Sequence, residues 1–92
     1  MKIDASNLIY HDLVGLDAKV ISSTDPSQLG IRGEVVDETA NILGISTERG
    51  VKMIPKKNSS FLFYLPQEVT VEGSEIAFRP EDRLKRLQRR RR

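Results

Sequence analysis

One histidine, His11, and no cysteine set the limits on the chemistry this 92-residue chain can hold. A cysteine nucleophile, a disulfide and a cysteine-ligated metal are all excluded. So are zinc sites built on two or three histidines. A Ser-His-Asp triad would have to use His11, which lies beside Asp12 in a segment that reads as a helix. A lone histidine with no nucleophile or metal partner is more simply a solvated or half-buried helix residue. Glu34, Asp37, Glu38 and Glu48 are spread over strand and turn positions, and no spacing singles out an acid–base pair. Gly30-Ile31-Arg32-Gly33 lacks the strand-to-helix setting of a phosphate-cradling loop. Catalysis by this chain alone is not expected.

Cations are the remaining resource, and they are unevenly placed. The formal net charge is +2, yet residues 79–92 carry eight basic and two acidic side chains, a net of +6. The other 78 residues carry seven Lys/Arg against eleven Asp/Glu, a net of −4. A mildly acidic body with a strongly basic end suits a polyanionic partner. Smaller basic spots lie at Arg32, Lys52 and Lys56-Lys57. A guanidinium pairs bidentately with phosphate and stacks on bases, so arginine-rich stretches suit RNA. The candidate RNA contacts are Arg32, Lys52, Lys56, Lys57, Arg79, Arg83, Lys85, Arg86, Arg89 and Arg90. The plainer alternatives are a solvated tail for Arg89 to Arg92 and a polar loop for Lys56-Lys57. Aromatic residues are only 5% of the chain, and Phe61 and Phe63 read as core. Few rings are left as stacking platforms, which favours recognition of phosphate and shape over base-by-base reading.

These residues must be held by short elements. Ser6 can cap a short helix that places Leu8, Ile9, Leu13 and Leu16 near one face, with Gly15 as its stop. From Asp17 the apolar residues come in short β-branched runs punctuated by Asp25-Pro26-Ser27, Asn58-Ser59 and Glu72-Gly73-Ser74, with Arg49-Gly50 as a two-residue turn. Strands are expected at 17–23, 29–38, 40–48, 51–55, 60–65, 68–72 and 75–78. Phe61-Leu62-Phe63-Tyr64-Leu65 is apolar on both faces, as in a strand buried on two sides. It is also the longest apolar run, far short of the ~20 residues of a membrane-spanning helix. The start of the chain shows no basic-then-apolar leader, so a cytoplasmic location is expected. Pro80, Glu81 and Asp82 suit a helix start, with Leu84 and Leu87 as a narrow apolar stripe.

The fold class expected is all-β: one small, strongly bent antiparallel barrel of six or seven strands with short terminal helices. Its parts are a helical segment 1–16, a barrel 17–78 and a basic C-terminal segment 79–92. A closed barrel buries its own core, which leaves the flanking helix free to dock. That helix, with Leu8, Ile9 and Leu13, and the strand after it, with Val20, are the candidate protein-partner interface.

Several stretches, taken in order, resemble one family. They are His11-Asp12-Leu13-Val14-Gly15-Leu16, then Pro26 through Leu43 with Gly30-Ile31-Arg32-Gly33-Glu34-Val35-Val36 at its centre. Lys52-Met53-Ile54-Pro55-Lys56, Phe61-Leu62-Phe63-Tyr64-Leu65-Pro66 and Arg79-Pro80-Glu81-Asp82-Arg83 follow. The set resembles the archaeal ribonuclease P protein component 1 family, whose members are Sm-like barrels. Gly33, Asp37 and Asn41 also faintly echo Sm proteins, although turn chemistry is the simpler account of Asp37 and Asn41.

The resemblance implies a subunit of the ribonucleoprotein that removes the 5′ leader from precursor tRNA. In such an assembly the RNA subunit holds Mg²⁺ and catalyses, and this chain binds no cofactor. The implied partners are ribonuclease P RNA, precursor tRNA indirectly, and a small zinc-ribbon protein subunit in a heterodimer beside other holoenzyme proteins. No membrane partner is implied, and the isolated chain is expected to be a monomer. Two other readings are a free Sm-like RNA chaperone acting as a homo-oligomeric ring and a ribosome-associated barrel protein.

Overall fold

The computed structural model describes residues 8, 12–65, 67–79 and 82. Six strands make one antiparallel sheet: β1 (Asp17–Ser23), β2 (Arg32–Glu38), β3 (Ile42–Thr47), β4 (Gly50–Pro55), β5 (Ser59–Leu65) and β6 (Gln67–Glu72). Their order across the sheet is β4-β3-β2-β1-β5-β6. Alternation decides which side chains go inward. The registers Ala18↔Phe63, Val20↔Phe61, Val35↔Ile45, Leu43↔Ile54 and Phe61↔Val71 stack apolar pairs on one face. With Leu8, Leu13 and Ile76 these residues form a single buried cluster, none of them more than 4% exposed.

A single sheet reaches such burial only by curling on itself. Two features bend it. The registers slip between Val20 and Ser22 in β1 and between Val35 and Asp37 in β2, and such bulges bend and twist a strand. A Cβ at Gly33 would overlap the Ser46 carbonyl oxygen, so only glycine lets β3 fold so closely over β2. The two outer strands of the order, β4 and β6, are joined just beyond their ends. The carbonyl of Lys56, after β4, fills the space where a Cβ of Gly73, after β6, would sit. The Lys56 N–H donates to the Asn41 carbonyl at 2.7 Å. The result is the strongly bent antiparallel barrel expected from the spacing of the runs.

Several expectations are corrected. Residues 75–78 are not a seventh strand, because Gly73–Ile76 form a 3-10 turn. Glu72 and Glu75 exchange side-chain bonds with each other's backbone N–H groups, which favours a helical turn over extension, and Ile76 drops into the core. The second strand starts at Arg32 and not at Leu29. Asp25 caps a 3-10 turn at Pro26–Gln28, and Gly30 has φ +85°. The β3–β4 loop is Glu48-Arg49, closed by the pair Thr47↔Gly50. Residues 12–16 form a turn and not a helix: the Leu16 N–H donates to the Leu13 carbonyl, and Gly15 has φ +96°. The rest of the expected N-terminal helix, except Leu8, lies outside the described residues. The outer face of β5 is half-exposed at Leu62 and Tyr64, so this strand is fully buried on one side only.

The candidate partner interface is corrected as well. Leu8, Leu13 and Val20 have no exposure at all. Val20 is an inward-facing barrel residue, and Leu8 and Leu13 complete a core that the curled sheet alone leaves uncovered. Ile9 lies outside the described residues.

Candidate nucleic-acid interface

Arg32 opens β2 and faces outward, paired with Lys19 across the β1–β2 ladder. Two neighbours hold its side chain. Nη2 donates to Asp17 Oδ2 at 3.0 Å. The guanidinium carbon lies 4.0 Å from the centre of the Tyr64 ring, on β5, a cation–π contact. The bond to Asp17 raises the guanidinium above its already high ordinary pKa, so Arg32 is cationic at any working pH. Both members of the ion pair remain about half exposed, which leaves the guanidinium in reach of solvent and ligand.

An open cleft of about 520 Å³ lies beside Arg32, lined by Ser27, Ile31, Arg32, Thr47, Glu48, Arg49 and Lys52. Separate pieces of chain build it: the capped turn after β1, the entry to β2, the β3–β4 hairpin and β4. Asp25 fixes the turn by accepting from the Ser27 N–H at 3.0 Å and the Ser27 hydroxyl at 2.7 Å, and these bonds lower its pKa. The hairpin is locked at its neck. Thr47 Oγ1 donates to the Gly50 carbonyl at 2.8 Å and accepts from the Arg49 N–H at 3.2 Å. Gly50 takes φ +109°, which β-carbon-bearing residues avoid. Arg49 is thereby presented at a rigid tip. Three cations and two hydroxyl-bearing residues against one carboxylate, Glu48, form a surface suited to phosphodiester oxygens.

The cleft thus unites two of the candidates, Arg32 and Lys52, and adds Arg49. Sequence reasoning used Arg49 only as turn chemistry. The signal available was a cation at a hairpin tip, close in sequence to Lys52.

Lys56 is a correction. It has no exposure, and its Nζ donates to Glu38 Oε2 at 2.7 Å, the Thr39 carbonyl at 2.6 Å and the Phe78 carbonyl at 3.2 Å. An ammonium has three N–H groups, and three acceptors take them. Glu38 is equally engaged, since its Oε1 accepts from the Leu13 N–H at 3.1 Å. Lys56 is therefore a closure element of the barrel and not an RNA contact. Lys57 is exposed beside Asn58, whose φ of 70° marks a tight turn, and it does not line the cleft. Arg79 is exposed, and its carbonyl accepts from the Asp82 N–H at 3.0 Å. Arg83, Lys85, Arg86, Arg89 and Arg90 lie outside the described residues. Among the described residues no group of three or more His, Cys, Asp or Glu side chains could hold a metal ion. Among them, too, no helix is long and apolar enough to cross a membrane.

Comparison with known proteins places this barrel. The family described as ribonuclease P/MRP, subunit p29, matches residues 6–86. A ribonuclease P protein component 1 of Methanosarcina acetivorans is 40% identical, with 97% of this chain and 92% of that protein covered. The protein of the same description from Archaeoglobus fulgidus is 43% identical, over 92% of this chain and 84% of its own. The one from Desulfurococcus amylolyticus is 42% identical over 97% of this chain and its full length, 100%. The solved structure of Mth11, a homologue of human RNase P protein Rpp29, superimposes with a TM-score of 0.58 at 36% identity. It covers 78% of this chain and 96% of that one.

Proposed function

The chain belongs to the ribonuclease P/MRP subunit p29 family and has the role of a ribonuclease P protein subunit; we propose that it grips the RNA of that assembly through the Arg32–Arg49–Lys52 cleft. The observation that carries this reading is the convergence of three cations from separate elements on one open concavity. Arg49 and Lys52 are exposed, and Arg32 stays about half exposed despite its contacts with Asp17 and Tyr64. Such cations screen RNA charge and favour its compact fold, while the Mg²⁺-dependent chemistry stays with the RNA subunit. The basic segment 79–92, with Arg83, Lys85, Arg86, Arg89 and Arg90, acts as a second electrostatic grip. The protein partner in this reading is a small zinc-ribbon subunit, and the site of action is the cytoplasm. The isolated chain is a monomer and takes precursor tRNA only as part of the holoenzyme.

Capture of RNA on the full chain from an extract of its source cells tests the assignment. Ribonuclease P RNA is expected to be enriched over ribosomal RNA. Enrichment of ribosomal RNA instead would contradict it. In parallel, the RNA-free chain with precursor tRNA and Mg²⁺ is expected to leave the 5′ leader uncut.

A further inference from the structure

We infer that Arg32 is a stacking shelf for an unpaired nucleobase, with the flanking phosphates held by Arg49 and Lys52. The inference rests on the reading of the cleft as the RNA interface and adds what is recognised there. The state of the Arg32 guanidinium carries it. One N–H edge is committed to Asp17. One face is committed to Tyr64, 4.0 Å away. Arg32 lines the cleft and Tyr64 does not, so the ring leaves Arg32 open to the cleft. With its charge partly answered by Asp17, the guanidinium offers less to a phosphate than Arg49 or Lys52. What it retains is a flat, rigid, weakly hydrated face, the feature on which bases stack. Ile31 adds an apolar wall beside it. The cleft is open, and its volume of about 520 Å³ falls in the general range of small-molecule sites. Flexible cations alone would hold only the backbone. A plane fixed by a carboxylate and a ring is pre-organised, so ordering it on binding costs little entropy.

The test uses the full chain and two pentanucleotide RNAs. One has 2-aminopurine at its centre and uridine elsewhere; the other has the same phosphates and an abasic centre. The wild type is expected to bind the 2-aminopurine probe roughly five- to tenfold more tightly and to quench its fluorescence, in line with the typical worth of a base–side-chain stack. Arg32→Lys keeps the charge and loses the plane, so both probes should bind it as the abasic probe does. Tyr64→Leu removes the support and should erode the discrimination in the same direction. Asp17→Asn frees the second edge and should strengthen binding of both probes while the discrimination persists. Equal affinity of the wild type for the two probes would overturn the stacking shelf. So would an Arg32→Lys variant that discriminates like the wild type. If Arg32→Lys weakens both probes equally, Arg32 is a phosphate contact, and the cleft stands as an RNA interface without a base site. If Arg49→Ala with Lys52→Ala leaves the binding of both probes and of ribonuclease P RNA unchanged, the cleft reading itself fails.

Discussion

Lys52 and Lys56 stand on or beside the same strand, and the barrel uses them in opposite ways. Lys52 lies in the open cleft with Arg32 and Arg49. Lys56, just past the end of β4, is enclosed where the two ends of the curled sheet meet, with Glu38 and the carbonyls of Thr39 and Phe78 around it. The difference shows that a cation's role here is set by what the topology brings to it from far along the chain. Glu38 is 18 residues away from Lys56, and Phe78 is 22. A buried charge is tolerated only when paired and fully hydrogen-bonded, and Lys56 meets both conditions. An exposed cation gains little from a surface partner and stays available to a polyanion.

The comparison predicts that the two regions separate stability from binding. The largest effect is expected at the closure. Lys56→Ala leaves the Glu38 carboxylate buried without its partner and should cost about 3–5 kcal/mol, read as a lower midpoint in urea unfolding. Replacing both members together, Lys56→Met with Glu38→Leu, should recover most of that loss, because the cost lies in the orphaned charge. A single Lys56→Ala substitution with an unchanged midpoint would erase the distinction between the two lysines.

Next in size is Gly73→Ala. The added methyl would overlap the Lys56 carbonyl oxygen, so backbone must shift at the same junction. Overpacking of this kind costs about 1–3 kcal/mol, and thermal unfolding would show it. Gly50→Ala, at the hairpin neck of the cleft, meets no atom within 4 Å and suffers only the strain of its φ of +109°. It should cost less than Gly73→Ala, and the reverse order would show that the junction is not the tighter of the two sites.

Arg49→Ala with Lys52→Ala should move stability least, within about 0.5 kcal/mol, as expected for exposed positions. Its effect belongs to RNA binding. A clear loss of unfolding midpoint in this double variant would show that the cleft cations are structural after all.

Much of the barrel was legible in the sequence because its signal is local. β1 is found at Asp17–Ser23, the span expected, and β4, β5 and β6 each begin one residue earlier than expected. β-Branched runs bounded by turn residues carry that information without reference to the rest of the chain. Phe61 and Phe63 are core, as their shared strand face implies. One failure is a local cap, and the others are non-local. Residues 75–78 look extended until Glu72 and Glu75 form their reciprocal cap. Lys56-Lys57 looks like a polar loop because Glu38 and Phe78 reach it only when the sheet closes. Leu8 and Leu13 look like a free amphipathic face because nothing in their own segment reveals that the barrel needs them as cover.

The cationic site was half legible for the same reason. Arg32 and Lys52 stand out by residue type, but their meeting with Arg49 depends on the β2–β3–β4 register. The Arg32–Tyr64 contact joins β2 to β5 across β1 and leaves no trace in local spacing. The low aromatic content argued against stacking platforms. The stacking shelf inferred at Arg32 relies instead on a guanidinium backed by a half-buried tyrosine.

The central claim is that the cleft, and not the buried lysine, meets the RNA. A salt titration of binding to ribonuclease P RNA tests it most directly, with the wild type compared with Arg49→Ala, Lys52→Ala. Each phosphate contact contributes about 0.7–0.9 to the slope of log K against log salt. The double variant should therefore bind more weakly at low salt, with a slope shallower by about 1.4–1.8 and an unchanged unfolding midpoint. A slope and affinity equal to those of the wild type would contradict the account and move the RNA-binding surface away from the cleft.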